Sequence, residues 1–170
     1  MKKTTIVITS IADASHPVLR LFAAEAHRRG VRFIVIGDTK SPSDFHTDGC
    51  EHYSIARQME LGELARMLPT RHYARKNLGY LEAIRAGAEI IIESDDDNIP
   101  FEGFWTDRTM AAPARPVAAS GWVNVYRYFT DRLVWPRGFS LEHIHDALPP
   151  AATLQAVTCP IQQGLVDDNP

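Results

Sequence analysis

The chain has 170 residues, 45% hydrophobic and 23% charged, which is enough for one compact domain with its own core, and the expectation is a single domain over residues 1–170. Lys and Arg number 18 against 21 Asp and Glu, a formal net charge of -3, and the basic residues are scattered, which excludes a nucleic-acid or anionic-membrane surface. Cys50 and Cys159 stand far apart in no metal-ligand spacing, and no apolar run approaches the ~18 residues of a spanning helix, so a cytoplasmic protein without a membrane span is expected.

Ile6, Val7 and Ile8 form a β-branched run that ends at Thr9 and Ser10, the pattern of a buried parallel strand opening into a loop. Ser15 as a cap and Pro17 in the first turn start a helix with Val18, Leu21, Phe22 and Ala26 on one face, stopped at Gly30. A second strand, Val31 to Ile36, closes at Gly37 and Asp38. Strand, helix, strand in this order implies a right-handed crossover and a parallel sheet covered by helices.

Thr39 to Tyr53 is polar and turn-rich and reads as a loop, whereas Ser54 to Met67 has the apolar spacing of one helix. Another helix is predicted from Lys76 to Ala86, ending at Gly87. Glu89 to Glu93 contains three consecutive isoleucines, reads as a central strand, and runs straight into Asp95, Asp96, Asp97 and Asn98. Beyond Pro100 the periodicity weakens: Val117 to Val125 is predicted as a strand, Trp105, Trp122 and Trp135 as core, and Glu142, His143, His145 and Asp146 as a cluster within a helix. The turn-like end, Val166 to Pro170, points to a domain cut short there.

Three adjacent aspartates repel one another, and gathering them at the mouth of an apolar strand costs stability unless a cation or hydrogen-bond donors compensate. Open α/β sheets bind ligands outside the carboxyl ends of their strands, where this run falls. Hard carboxylate oxygens suit Mg²⁺ or Mn²⁺, ions that bind through one or two carboxylates plus substrate phosphates, so Asp95 and Asp97 can divide the labour between ribose and metal. The plain alternative is a solvated acidic turn. Upstream, the basic segment from Arg71, His72 and Tyr73 through Arg75, Lys76 and Asn77 to Gly79 leads into a helix, and Arg75 and Lys76 at a helix N-terminus suit a diphosphate; a solvent-facing basic turn is the alternative.

Ala74, Arg75, Lys76, Asn77, Leu78 and Gly79, then Ala83, Gly87 and Ala88, a strand, and Asp95 to Asn98 together resemble nucleotide-diphospho-sugar transferases of the GT-A fold. The resemblance is closer to the STELLO-like glycosyltransferase group and looser to the reversibly glycosylated polypeptides (UDP-arabinopyranose mutases). Val134, Trp135, Pro136, Arg137, Gly138 and Phe139 extend it, to a span of about residues 4 to 145. It implies an α/β fold with a mostly parallel central sheet flanked by helices, Rossmann-like, and a nucleotide-sugar donor, with a UDP-sugar expected and the acceptor open.

By the same resemblance Asp97 coordinates the Mn²⁺ or Mg²⁺ that bridges the diphosphate. Asp95 contacts the ribose or also the metal, and Asp96 sits on the substrate side between them. Arg75, Lys76 and Asn77 face the nucleotide. The loop from Ser10 to Asp13, with Asp38, holds base and ribose, and Arg137 steadies the sugar or the diphosphate. No catalytic base is identified, and only about 70 residues follow the acidic run where an acceptor-binding half is usual. Two other classes therefore stay open: a binding or regulatory module that holds the nucleotide sugar without turnover, and a metal-dependent phosphatase or phosphoacceptor. Against the last, the first strand ends in Thr9 and Ser10 rather than a nucleophilic aspartate.

Overall fold

A computed structural model describes residues 3–162 and 167–168. The described residues divide into two compact units, one of residues 3–108 with 167–168 and one of residues 109–162. Most of the turn read at Val166 to Pro170 lies outside the described residues.

The first unit is built on a sheet of β1 (Thr4–Thr9), β2 (Arg32–Ile36), β3 (Glu51–Tyr53) and β4 (Ile90–Glu93), in the order β3-β2-β1-β4. All three pairings are parallel, β1 with β2, β1 with β4 and β2 with β3. The expected α/β fold with a parallel sheet flanked by helices, consistent with a Rossmann-like GT-A fold, is therefore present. The sheet grows outward from β1 in both directions, so the order reverses between β1 and β4.

Alternation along the strands decides which helix covers which face. Ile6, Ile8, Phe33 and Val35 pack with Val18, Leu19, Phe22, Ala23 and Ala26 of α1 (Pro17–Arg29) and with Phe104. The opposite face carries Val7, Ile34, Ile36 and Tyr53, with Leu61 and Tyr80 against them. Two further helices, α2 (Ile55–Met59) and α3 (Glu63–Met67), precede α4 (Lys76–Arg85). At Gly79 α4 lies tight against the sheet: a Cβ there would lie 2.5 Å from Val7 Cγ1 and 3.1 Å from Ile36 Cγ1. Burying each such Val, Ile, Leu or Phe side chain contributes about 1.5–3 kcal/mol, so the two faces of this small sheet hold most of the unit's stability.

Several predicted elements take a different form. Helix α1 starts at Pro17, but its cap position is His16 and no side chain caps it; Ser15 instead turns to Asp13. Its C-terminal stop at Gly30 is as expected, with φ +66° and the N–H returned to the last turn. The loop from Thr39 to Tyr53 ends in the short strand β3, which sequence periodicity misses because three residues carry no period. β3 pairs along β2, and the bidentate pair of Arg32 with Glu51, at 2.7 Å for each arm, adds a tie between them.

The single helix read from Ser54 to Met67 is two, α2 capped by Ser54 and α3, separated at Gly62 with φ +118°, a conformation no helix continues through. β4 is an edge strand, pairing with β1 alone among the described residues, rather than a central one. Its isoleucines are half-buried, since β-branching reports sheet preference and not the number of neighbours.

After β4, Ile99–Pro100 forms β5 and pairs antiparallel with β8 (Asp167–Asp168). Trp105 packs edge to face on Phe104 and against Phe22, in keeping with the core reading.

The second unit has one antiparallel pair, β6 (Ala111–Ala114) with β7 (Gln155–Thr158), and is otherwise irregular. The strand read at Val117 to Val125 does not form; a 3₁₀ turn at Val125–Tyr128 follows open chain. The helix read around His143 is a single 3₁₀ turn, Leu141–His143, with His143 Nδ1 at 2.7 Å from Asp146 Oδ2. Trp122 and Trp135 are not core: they are 50% and 58% exposed. No helix among the described residues is long and apolar enough to cross a membrane.

The closeness of α4 to the sheet gives a direct test. Gly79→Ala forces a methyl into buried Val7 and Ile36, and we expect a loss of about 1–3 kcal/mol of unfolding free energy in urea melts. Unchanged stability would mean that α4 can shift outward without cost.

Candidate functional site

Because the sheet is parallel, Ser10, Asp38 and Ser94 follow the carboxyl ends of β1, β2 and β4 on one edge. A cleft of about 330 Å³ opens there. Thr9, Ser10 and Ile11 line it from β1, and residues 36–40 line it from β2. Asp96 closes it from the acidic run, and Arg71, His72, Tyr73 and Arg75 from the segment before α4.

The three aspartates have separate surroundings. Asp96 Oδ2 accepts the Ser10 hydroxyl at 2.5 Å, which ties the acidic run to the end of β1, and the same hydroxyl accepts the Ala12 N–H. Asp95 Oδ1 meets the Lys76 ammonium at 2.9 Å. Asp97 is exposed at the turn and has no side-chain partner among the described residues. Mutual repulsion, the cost foreseen for this run, is relieved by giving one carboxylate a hydroxyl and another an ammonium.

Lys76 is 6% exposed, and its Nζ also meets Glu93 Oε1 at 2.6 Å and the Ser94 carbonyl at 3.1 Å. Burial works to lower its pKa, but hydrogen bonds and charge from Asp95 and Glu93 outweigh that, and the pKa lies above the usual lysine value. The ammonium therefore serves the acidic end of β4 and stays charged.

Arg75 is 1% exposed, and its Nε donates to Gln58 Oε1 at 2.7 Å while Nη1 reaches the carbonyls of Leu68 and Ala65. Its Nη2 is buried without a hydrogen-bond partner among the described residues. Gln58, itself fully buried, donates Nε2 to the carbonyls of Gly37 and Tyr53.

Asp38 accepts the Thr39 N–H at 2.6 Å on one oxygen and the Arg71 N–H at 2.7 Å on the other. Burial pushes its pKa up, yet backbone donors from Arg71, Thr39 and His72 more than offset this and hold the carboxyl below the ordinary carboxylate range.

The structure thus brings Ser10, Asp38, Arg75 and Asp96 together in one cleft, with Lys76 and Asp95 paired beside the strand end. Asn77 is exposed and donates to the Ala74 carbonyl, outside the cleft lining. Asp13 spends its Oδ1 on the N–H and hydroxyl of Ser15, whose hydroxyl lowers the Asp13 pKa, and it too stands outside the lining. Arg137 lies in the second unit, exposed in a turn.

Arg71, His72 and Tyr73, the start of the basic segment before α4, also line the cleft, as does Lys40, which the sequence did not single out. Arg71 has φ +53° and is the one non-glycine residue with positive φ among the described residues. No residue pattern announces a left-handed arginine; the nearest signal is the Pro69–Thr70 step that breaks the chain before it.

No group of three or more His, Cys, Asp and Glu is placed to hold a metal ion among the described residues. The acidic run offers fewer donors: exposed Asp97, and the Asp95 oxygen that Lys76 does not take.

The depressed pKa of Asp38 has a definite pH consequence. A carboxyl depressed in the folded state stabilises it fully above the unfolded value of about 3.9 and loses that contribution as pH falls through the folded value. We expect Asp38→Asn to lower Tm at neutral pH, with the gap to the parent closing as pH falls below about 4. A gap independent of pH would remove the carboxylate charge from the clasp.

No protein-family model matches the chain. Over 130 residues it is 32% identical to "Probable glycosyltransferase STELLO1" of Arabidopsis thaliana, and 31% identical over the same length to "Probable glycosyltransferase STELLO2" of the same plant. Each match covers 68% of this chain and 17% of the relative, so the chain corresponds to a limited part of those longer proteins. At the level of family, the parallel α/β fold and this sequence likeness group the chain with the STELLO-like glycosyltransferases, through a shared segment of their length.

Proposed function

We propose that the chain is the donor-binding part of a metal-dependent glycosyltransferase, holding a nucleotide-diphospho-sugar, with a UDP-sugar as the first candidate, in the cleft at the carboxyl edge of the sheet. The observation that carries this reading is Asp96: one residue of the acidic run lines the same cleft as the ends of β1 and β2. Base and ribose enter over Ser10 and the Asp38 turn, and the diphosphate lies toward the acidic run. The fold supports this direction, since parallel sheets take ligands at their carboxyl edge.

Mn²⁺ or Mg²⁺ would be held by Asp97 with Asp95 in support. The donor set fits such an ion, which commonly keeps water and substrate phosphate as its remaining ligands and needs no three-residue protein cage. When bound, the ion supplies charge neutralisation on the departing nucleoside diphosphate. The chain's own residues do the rest: Lys76 fixes the direction of Asp95, Ser10 fixes Asp96, and Asp38 holds the Arg71 backbone at the cleft.

The acceptor stays open. Calorimetry with UDP-glucose and other UDP-sugars, with and without Mn²⁺, tests the reading. We expect binding that strengthens with the metal, and its metal-dependent part abolished in Asp97→Asn. Unchanged binding in that variant would remove Asp97 from the site, and binding without transfer to any acceptor in the intact protein would favour a silent binding module.

A further inference from the structure

We infer that Arg71 is an anion-binding residue of the cleft, the side chain that receives the phosphates of the nucleotide. This rests on the donor-binding reading above and adds a residue to it.

Three observations on different residues converge. First, Arg71 holds φ +53° and lines the cleft. A left-handed conformation disfavours any residue with a Cβ, and glycine would adopt it without strain. Such strain persists only where the surroundings impose it, and here they do: the Arg71 N–H is held by Asp38 Oδ2 at 2.7 Å. The fold thus spends a carboxylate of β2's end on posing an arginine backbone that a glycine would satisfy more easily. What glycine lacks is the guanidinium.

Second, that guanidinium has no ion-pair partner among the described residues. The cleft's own carboxylates are already engaged, Asp38 by backbone N–H groups and Asp96 by the Ser10 hydroxyl.

Third, Arg75 lines the same cleft, is 1% exposed, and binds only neutral acceptors, with Nη2 left unpartnered. A buried guanidinium without a carboxylate leaves uncompensated positive charge beside the cleft, which favours an anionic occupant. Lys40 adds a further cation to the lining. A site with these cations and its acids already satisfied selects an anionic ligand over a neutral one, and Arg presents the planar fork that suits phosphate oxygens.

The test compares UDP with uridine, so that the diphosphate alone is varied, by calorimetry on the full chain with Mn²⁺ present throughout. The parent binds UDP more tightly than uridine. Arg71→Gly, which keeps the backbone shape and removes the cation, melts at or above the parent Tm and loses UDP affinity by about tenfold or more, while uridine affinity is unchanged. Arg71→Gln, which removes the charge and retains a Cβ, loses the same diphosphate preference. A full preference for UDP in both variants overturns the inference and leaves the donor-binding reading standing. A parent chain that binds neither UDP nor uridine takes down both.

Discussion

One buried polar junction holds the parts of the first unit in register. Gln58, fully buried, donates to the carbonyls that end β2 and β3 and accepts from Arg75, whose other arm reaches the carbonyls at the end of α3. Five pieces of chain meet there: two strand ends, α2, the end of α3 and the turn into α4. Each bond is made in a low-dielectric interior, where a satisfied network is stiff and an unsatisfied member costs about 1–3 kcal/mol. The junction reaches the cleft, because Arg75 and Gly37 are both among its lining residues.

Around that junction the charges are sorted rather than spread. Carboxylates on the cleft side are satisfied by uncharged donors: Asp38 by backbone N–H groups and Asp96 by a serine hydroxyl. Those on the strand side, Glu93 and Asp95, share the buried ammonium of Lys76. Guanidinium groups facing the cleft are left without acids. The acidic run thus contains three aspartates with three tasks, one anchoring β1, one paired with lysine and one presented to solvent. A run of like charges is tolerated at the end of β4 because its members do not share one environment.

Strain is concentrated at the same place. Arg71 is the residue among those described that a Cβ makes uncomfortable, and it stands directly opposite the end of β2, clasped by Asp38. Stable contacts elsewhere, above all the packing of α1 and α4 on the two faces of the sheet, supply the stability that lets this short segment stay strained. The second unit is organised differently: it has one short antiparallel pair and leaves Trp122, Trp135 and Phe129 open to solvent.

Much of the first unit was legible in the residues. The runs at Ile6 to Ile8 and Val31 to Ile36, the helix between them and the stop at Gly30 are local signals: side-chain branching, a proline start and a glycine that tolerates positive φ. The acidic run was expected at the carboxyl edge of the sheet and lies there, where the cleft opens, since parallel topology follows from the order of elements alone. After Pro100 the residues carry no clear period, and the expected strand at Val117 to Val125 and the core roles of Trp122 and Trp135 did not form.

What the sequence determined by itself was element type, chain order and the collection of acids at one strand end, because these depend on neighbours a few residues apart. Only the tertiary structure decided which acid meets which cation, since Lys76 and Asp95, Ser10 and Asp96, and Asp38 and Arg71 are 19, 86 and 33 positions apart in the chain. Pairings of that range are set by how the helices dock on the sheet, and so the division of labour within the acidic run, and the posing of Arg71, arise from packing rather than from local pattern.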